Sequence, residues 1–342
     1  MYKVHSNRKL ASTSFLMCLL FISGYSVSAE NGSASSKDTD DKIYLDYEYE
    51  KSLDYFKNKL KNPDEKNDAL IYLSRLAFDN GHADAALDYM EHALALAPNS
   101  AEELVLSGDI YCNRAQHASI FSALKLAKKC IGQYEAALAV EPENIRALAA
   151  ATDFKLNAPA IAGGSDARGH ELLKRLSSLS PEDANIIELE QLLRKDKREQ
   201  AFSMADQLTR QGFKSARNEY SVAHIYRDGK EYAKAQPLFE HLITLPVTLD
   251  NKWFVVDSYL QLGEILLEKN EDITRSVLLL SAYKAKNHNP EDLHYFWSTW
   301  SLAKACKAAG DQQRYEKLIG EIRAEDYKKD KDFAKAFDAA ID

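Results

Sequence analysis

The sequence predicts an all-α chain, an α-solenoid of serial helix–turn–helix units. Three observations lead there. Nearly every segment after residue 42 repeats its apolar residues at helical spacing. No run of alternating β-branched residues suggests a strand. A pattern of large, small and turn residues recurs along the chain. Such self-similarity marks units that bury their apolar faces only by stacking on the next unit.

Residues 1–29 read as a secretory signal peptide. Lys3, Arg8 and Lys9 give a basic start, no acid precedes Glu30, and an apolar stretch is dense over 15–22. Val27-Ser28-Ala29 places small residues where a signal peptidase reads, so cleavage is expected after Ala29 and the mature chain is expected in the periplasm or secreted. The apolar stretch is far shorter than the roughly 20 residues of a spanning helix, and no later stretch qualifies. Without residues 1–29 the chain holds 41 basic and 52 acidic residues, a formal charge of −11. That favours solubility and disfavours nucleic acid or an anionic lipid surface as the main partner.

Residues 30–42, "ENGSASSKDTDDK", are small, polar and charged, and are expected to be a flexible linker. The solenoid is expected over 43–342. It opens on a packing helix that aligns Tyr49, Leu53, Phe56 and Leu60. In "LIYLSRLAFDNGHADAALDYMEHALALAP", Leu70, Leu73, Ser74 and Ala77 line a first helix. Gly81 marks the turn, Ala86, Met90 and Ala93 line a second helix, and Pro98 closes it. The pattern returns at Leu104, Ser107, Gly108 and Tyr111 with Cys130, Tyr134, Ala137 and Pro142. It returns again at Val222, Ala223, Tyr226, Ala235, Phe239 and Leu242, where Pro237 should bend or shorten the second helix. Further copies carry Tyr259, Leu262, Gly263 and Leu266, then Ala303, Gly310, Tyr315 and Ile319. Weaker ones lie over 148–181 and 187–212. Phe333 and Phe337 share a face of a final, polar capping helix.

These motifs resemble the tetratricopeptide repeat (TPR), over roughly 67–322. The resemblance implies a right-handed superhelix of about six or seven units, whose first helices line a concave face that binds a protein or peptide.

Two repeats are longer than the family unit. Between Tyr111 and Cys130 the insertion predicts a second helix from about 120 to 140 with Ser119 as its N-cap, in a pair that protrudes. "NAPAIAGGSDARGHELLKRL", residues 157–176, is the other. A glycine-rich turn that opens a helix can cradle phosphate. Here the Lys-Ser/Thr of a phosphate loop is missing and Asp166 would repel an anion, so the stretch reads as a joint with Ser165 as N-cap. The long pair with its Gly-Gly turn also resembles, loosely, secreted TPR proteins related to the T component of TRAP transporters. That resemblance implies an alternative function, a ligand-binding accessory of a transport system using a pocket near the long pair and the Gly-Gly turn. An enclosed apolar pocket between Phe121, Leu124 and the loop at 159–165 would favour it over the scaffold.

No catalytic chemistry stands out, so the chain is read as a non-enzyme with no cofactor and no metal. There is no Gly-x-Ser-x-Gly elbow and no zinc-like spacing. His288, Asp292 and His294 lie close in sequence and read as surface loop residues. Cys112, Cys130 and Cys306 follow the leader, an odd number. A Cys112–Cys130 bond is conceivable in an oxidising compartment; the preferred reading is buried thiols packing as small hydrophobes. The candidate partner-binding residues are those between the packing positions of the first helices: Arg75, Asp109, Asn113, Asp153, Asn157, Tyr220, His224, Arg227, Glu264, Trp300 and Lys304. Aromatic and Arg side chains among them are the types that dominate interface energy. The expected function is a non-catalytic protein- or peptide-binding scaffold or adaptor of the bacterial envelope.

Overall fold

The computed structural model describes residues 36–46, 49–286 and 294–341. The expected signal peptide lies outside them, as do His288 and Asp292. Among the described residues there are seventeen α-helices and no strand. They are α1 (Ser36–Asp46), α2 (Tyr49–Lys59), α3 (Lys66–Asp79), α4 (Ala83–Leu96), α5 (Ala101–His117), α6 (Ile120–Val140), α7 (Ile145–Asn157), α8 (Asp166–Leu179) and α9 (Pro181–Arg194). After them come α10 (Arg198–Gln211), α11 (Ala216–Asp228), α12 (Tyr232–Leu242), α13 (Lys252–Lys269), α14 (Ile273–Lys286), α15 (Tyr295–Ala308), α16 (Gln312–Ala324) and α17 (Lys331–Ile341). The fold is the all-α helical repeat that the periodicity predicts.

The described chain divides into two compact units. The first holds Leu53–Arg75 and Ala83–Arg210; the second holds Leu76–His82, Gln211–Asp342 and the described part of Gly24–Ser52. In the first, α5 packs on α6 and α7 on α8 as antiparallel pairs, and α5, α7 and α9 touch in turn as first helices of successive repeats. In the second, the pairs are α11–α12, α13–α14 and α15–α16, and α11, α13 and α15 touch in turn. Stacking of this kind is what lets each pair bury its apolar stripe.

Small residues at the motif's Leu-Gly position set the approach of the two helices. A Cβ on Gly108 would lie 2.4 Å from Cε1 of Tyr134, so the aromatic ring of the second helix rests on the bare backbone of the first. In the second unit Phe333 and Phe337 of α17 are fully buried, and Trp297, Trp300 and Phe296 pack on Phe333. The aromatic cluster around Trp300 is thus chiefly a packing device. Pro237 sits inside α12, which ends five residues beyond it at Leu242.

Two expectations are corrected. The segment expected to be a linker is helical from Ser36, as α1, with Asp40 and Tyr44 buried. Tyr44 has partners far along the chain: its hydroxyl donates to Asp79, and Lys252 Nζ lies 4.1 Å from its ring centroid, both in the second unit. Cys112 and Cys130 are joined by a disulfide, with Cα atoms 5.2 Å apart, and are not buried thiols. Cys306 alone of the described cysteines is free, and it is buried.

The long hairpin forms where the insertion predicts it. α5 and α6 have 17 and 21 residues against 13 and 14 in α7 and α8, and Ser119 takes the N-cap position of α6.

Candidate functional site

The side chains between the packing positions of the first helices form two polar ladders, one per unit. Their rungs join residues one repeat apart. In the first unit, Arg146 Nη2 of α7 lies 3.4 Å from Asp109 Oδ2 of α5, 37 residues earlier, and also pairs with Glu102. The Tyr134 hydroxyl donates to the other oxygen of Asp109 at 2.7 Å. One repeat on, Asp153 accepts from Asn157, and Arg194 Nη2 of α9 approaches its carboxylate at 4.0 Å. Gln191 Nε2 donates to Asn157 Oδ1 at 2.6 Å. Glu190 completes this rung. Burial, and then the nearby Asp153 charge, push its carboxyl up to about 8, against the pull of Arg194. Farther back, burial raises the Glu103 carboxyl, with the Arg75 charge acting the other way.

The sequence reading places these residues on first helices, as found, but misjudges their exposure. Arg75, Asp109 and Asp153 are buried, so they are not available surface in the first unit. A charge carried this far from water must be paired or hydrogen bonded, and the adjacent first helix is the nearest supplier. Asn113 and Asn157 are half-buried.

The second ladder is more open. Tyr220 is buried, as are Asp257, Gln261 and Ser301; only 1% exposed, Tyr220 packs edge-on against Phe239 and Trp253, and its hydroxyl donates to Asp257 Oδ2 at 2.5 Å. Burial and the Asp257 charge raise its phenol well above the usual range. Tyr220 is a core residue and is removed from the candidate surface. Gln261 Nε2 donates to the same Asp257 oxygen at 2.7 Å. Arg227 of α11 pairs with Glu264 of α13, and Ser301 Oγ of α15 donates to the second Glu264 oxygen at 2.7 Å. One carboxylate thus joins three successive first helices, each step being 37 residues. His224 Nδ1 lies 3.3 Å from Asp228 Oδ2. Lys304 is exposed, its Nζ 4.5 Å from the centroid of the half-buried Trp300 ring. His224, Arg227, Glu264, Trp300 and Lys304 are brought together on one set of helices with water access.

Arg146, Glu190, Arg194, Asp257 and Ser301 were missed by reading the sequence. A signal existed: Asp109 with Arg146, Tyr220 with Asp257, and Arg227 with Glu264 are complementary side chains at one constant spacing of 37.

The Gly-Gly turn is a joint. The N–H of Gly163 donates to Ala160 O, that of Gly164 to Pro159 O and that of Ser165 to Lys155 O, so the N–H groups of the turn itself already have partners. Ser165 Oγ caps α8 by accepting from Arg168 N at 3.3 Å. A Cβ on Gly164 would lie 1.7 Å from the Ala158 carbonyl oxygen. Phe121 is almost fully exposed, so it does not line the enclosed apolar pocket that would favour the transport-accessory reading. Among the described residues no group of three His, Cys, Asp or Glu side chains is placed to hold a metal ion, and no helix is long and apolar enough to cross a membrane.

No family model matches the chain, and no curated protein matches it. Among solved structures, it is similar to a tetratricopeptide repeat protein from Parabacteroides merdae, at 15% identity over 75% of this chain and 92% of that one, with a TM-score of 0.44. It is also similar to human IFIT1, solved as a dimer with PPP-AAAA, at 14% identity over 85% of this chain and 77% of that one, TM-score 0.41. A third is the TPR domain of P58(IPK), at 14% identity over 81% and 79%, TM-score 0.30.

Proposed function

We propose that the chain is a non-catalytic scaffold or adaptor of the bacterial envelope that binds a protein or peptide along the first helices of the second unit. One observation carries the reading. Glu264 holds Arg227 and Ser301 on either side, with Trp300 and Lys304 stacked alongside, and the Arg227 and Glu264 side chains each keep 21% of their surface in water. An ion pair at such a boundary is weakly held, so a partner's carboxylate can exchange with Glu264 at Arg227 at low cost. The Trp300 ring and the Lys304 stem offer apolar area next to it, the combination found at energetic centres of interfaces.

The envelope placement rests on two supports. Residues 1–29 have the form of a leader ending at Ala29, and the Cys112–Cys130 disulfide is of the kind that persists in oxidising compartments.

The test is affinity capture of envelope proteins on the exported chain and on an Arg227→Ala/Trp300→Ala/Lys304→Ala variant, compared by mass spectrometry. Tyr220 is left intact, because its loss would disturb the core. A partner retained by the wild type and lost by the variant supports the reading; identical sets from both proteins refute it. Recovery of an exported form that still carries residues 1–29 refutes the leader.

A further inference from the structure

The tip of the α5–α6 hairpin is unlike the rest of the surface. Ile120 is 85% exposed and Phe121 90%, and they are neighbours in sequence, whereas no two of the other exposed large apolar residues among the described residues are. They open α6 and sit at its far end: ten residues before Cys130, they lie about 15 Å beyond the disulfide at 1.5 Å per residue. The disulfide ties this projecting end to α5, so the tip is presented on a braced stalk.

The charge around the tip is equally local. The chain carries a net −8, yet no Asp or Glu occurs from Ile110 to Tyr134, while Arg114, Lys125, Lys128 and Lys129 do. Two of these cations serve the base of the stalk: Arg114 pairs with Asp84 at 2.6 Å, and Lys129 Nζ donates to the Tyr111 hydroxyl at 3.1 Å. Lys125 and Lys128 are exposed and have no ion pair among the described residues. They follow Phe121 at i+4 and i+7, on the same face of α6. With the tip pointing into a bilayer, their Cα atoms stand about 6 and about 10 Å above that of Phe121. An interfacial element buries its apolar side chains about 5–10 Å into the boundary of headgroups and acyl chains, so the two ammonium groups reach phosphate level as Ile120 and Phe121 reach the acyl chains.

We infer that the α5–α6 tip docks on an anionic membrane surface, with Ile120 and Phe121 inserted and Lys125 and Lys128 on lipid phosphates. A convex apolar tip flanked by free cations fits a soft, negative, planar partner. The acidic character of the rest of the chain restricts contact with such a surface to this point, which makes the attachment weak and reversible.

The probe is the full chain bearing Phe121→Trp, mixed with vesicles of brominated phosphatidylglycerol and phosphatidylethanolamine. The wild-type emission is subtracted so that only position 121 is read, whatever residues 1–29 do. Quenching of that difference signal in the anionic vesicles, and its absence in brominated phosphatidylcholine, is expected. Lys125→Ala/Lys128→Ala, in the same Phe121→Trp background, should weaken partitioning about thirtyfold. Ile120→Ser/Phe121→Ser should weaken flotation of the otherwise wild-type chain on the order of a hundredfold, with unchanged circular dichroism. An unquenched difference signal in anionic vesicles overturns the inference, as does equal quenching in neutral ones. Self-association removed by the serine pair, without vesicle binding, also overturns it and assigns the tip to a second copy of the chain.

Discussion

In the first unit a carboxylate and a cation one repeat apart, Asp109 and Arg146, meet where little water reaches: their side chains keep 4% and 10% of their surface. In the second unit Arg227 and Glu264, the same 37 residues apart, meet at a half-wet boundary, with 21% each. The chemistry of the two pairs is the same and their consequences differ. The buried pair has the full cost of desolvation behind it, so each member is indispensable to the other and neither is free to recognise anything else. The boundary pair gains little from its own attraction and can exchange partners. One repeat register thus serves cohesion in one unit and supplies a candidate recognition surface in the other.

The largest expected effect breaks this comparison at its buried end. Asp109→Ala removes a carboxylate partner of Arg146 and an acceptor of the Tyr134 hydroxyl. It should cost about 3–5 kcal/mol, the range for removing one partner of a buried pair. The matched change in the second unit, Glu264→Ala, loses a boundary ion pair and the acceptor of the Ser301 hydroxyl and should cost less, about 1–2 kcal/mol. Urea unfolding of both variants measures the contrast, and equal losses would abolish the distinction drawn here.

The next effect sharpens the comparison through the disulfide, which lies in the first unit only; Cys306 of the second is free. Cys112→Ala/Cys130→Ala removes a bridge between residues 18 apart in sequence and should cost about 3 kcal/mol. Hydrogen exchange should then quicken in α5 and α6, while α13 and α15 stay as protected as before.

These contrasts also mark what the sequence made legible. The repeats, the long hairpin, the Ser165 cap and the Gly-Gly joint all follow from local chemistry, in which apolar spacing, caps and permissive backbone act within a few residues. The misreadings involve distant partners. Residues 30–42 look too polar to fold, yet α1 begins at Ser36, and nothing near Tyr44 in sequence announces Asp79 and Lys252. A hairpin symmetric about its turn would set Cys112 opposite a residue near 124; the observed offset brings Cys130 there instead, a register that composition does not encode. The candidate site was half legible. First-helix periodicity gives Asp109 and Asp153 in the first unit, and Tyr220, Arg227 and Trp300 in the second, comparable positions on their own helices. How deep each one lies depends on how closely the next first helix approaches.

A third prediction uses pH. The Glu190 carboxyl is raised from 4.5 to about 8 by burial and by Asp153. A folded state that holds this proton more tightly than the unfolded chain is favoured fully below 4.5 and loses that advantage as pH rises toward about 8. One proton gives a slope of at most about 1.4 kcal/mol per pH unit. Glu190→Gln should flatten it, so the variant gains on the wild type between those limits. Melting temperatures of both proteins across the window read the effect, and parallel curves would mean that Glu190 is ionised in the folded chain.

The smallest effect on stability is expected at the boundary ladder. Arg227→Ala removes a half-exposed ion pair and should shift stability by about 0.5–1 kcal/mol. Lys304→Ala removes an exposed cation from the Trp300 ring and should shift it by about 0.5 kcal/mol. If this face is where a partner binds, the same two substitutions should each weaken association tenfold or more, about 1.4 kcal/mol or above, because a partner that seals the site from water strengthens every charge contact within it. The ratio of the two effects is the informative quantity. Binding lost in proportion to stability would place Arg227 and Lys304 in the same category as Asp109 and Arg146, as residues that hold the helix stack together. Binding lost with stability intact would separate them, and would show that exposure within one polar register divides structural residues from recognition residues.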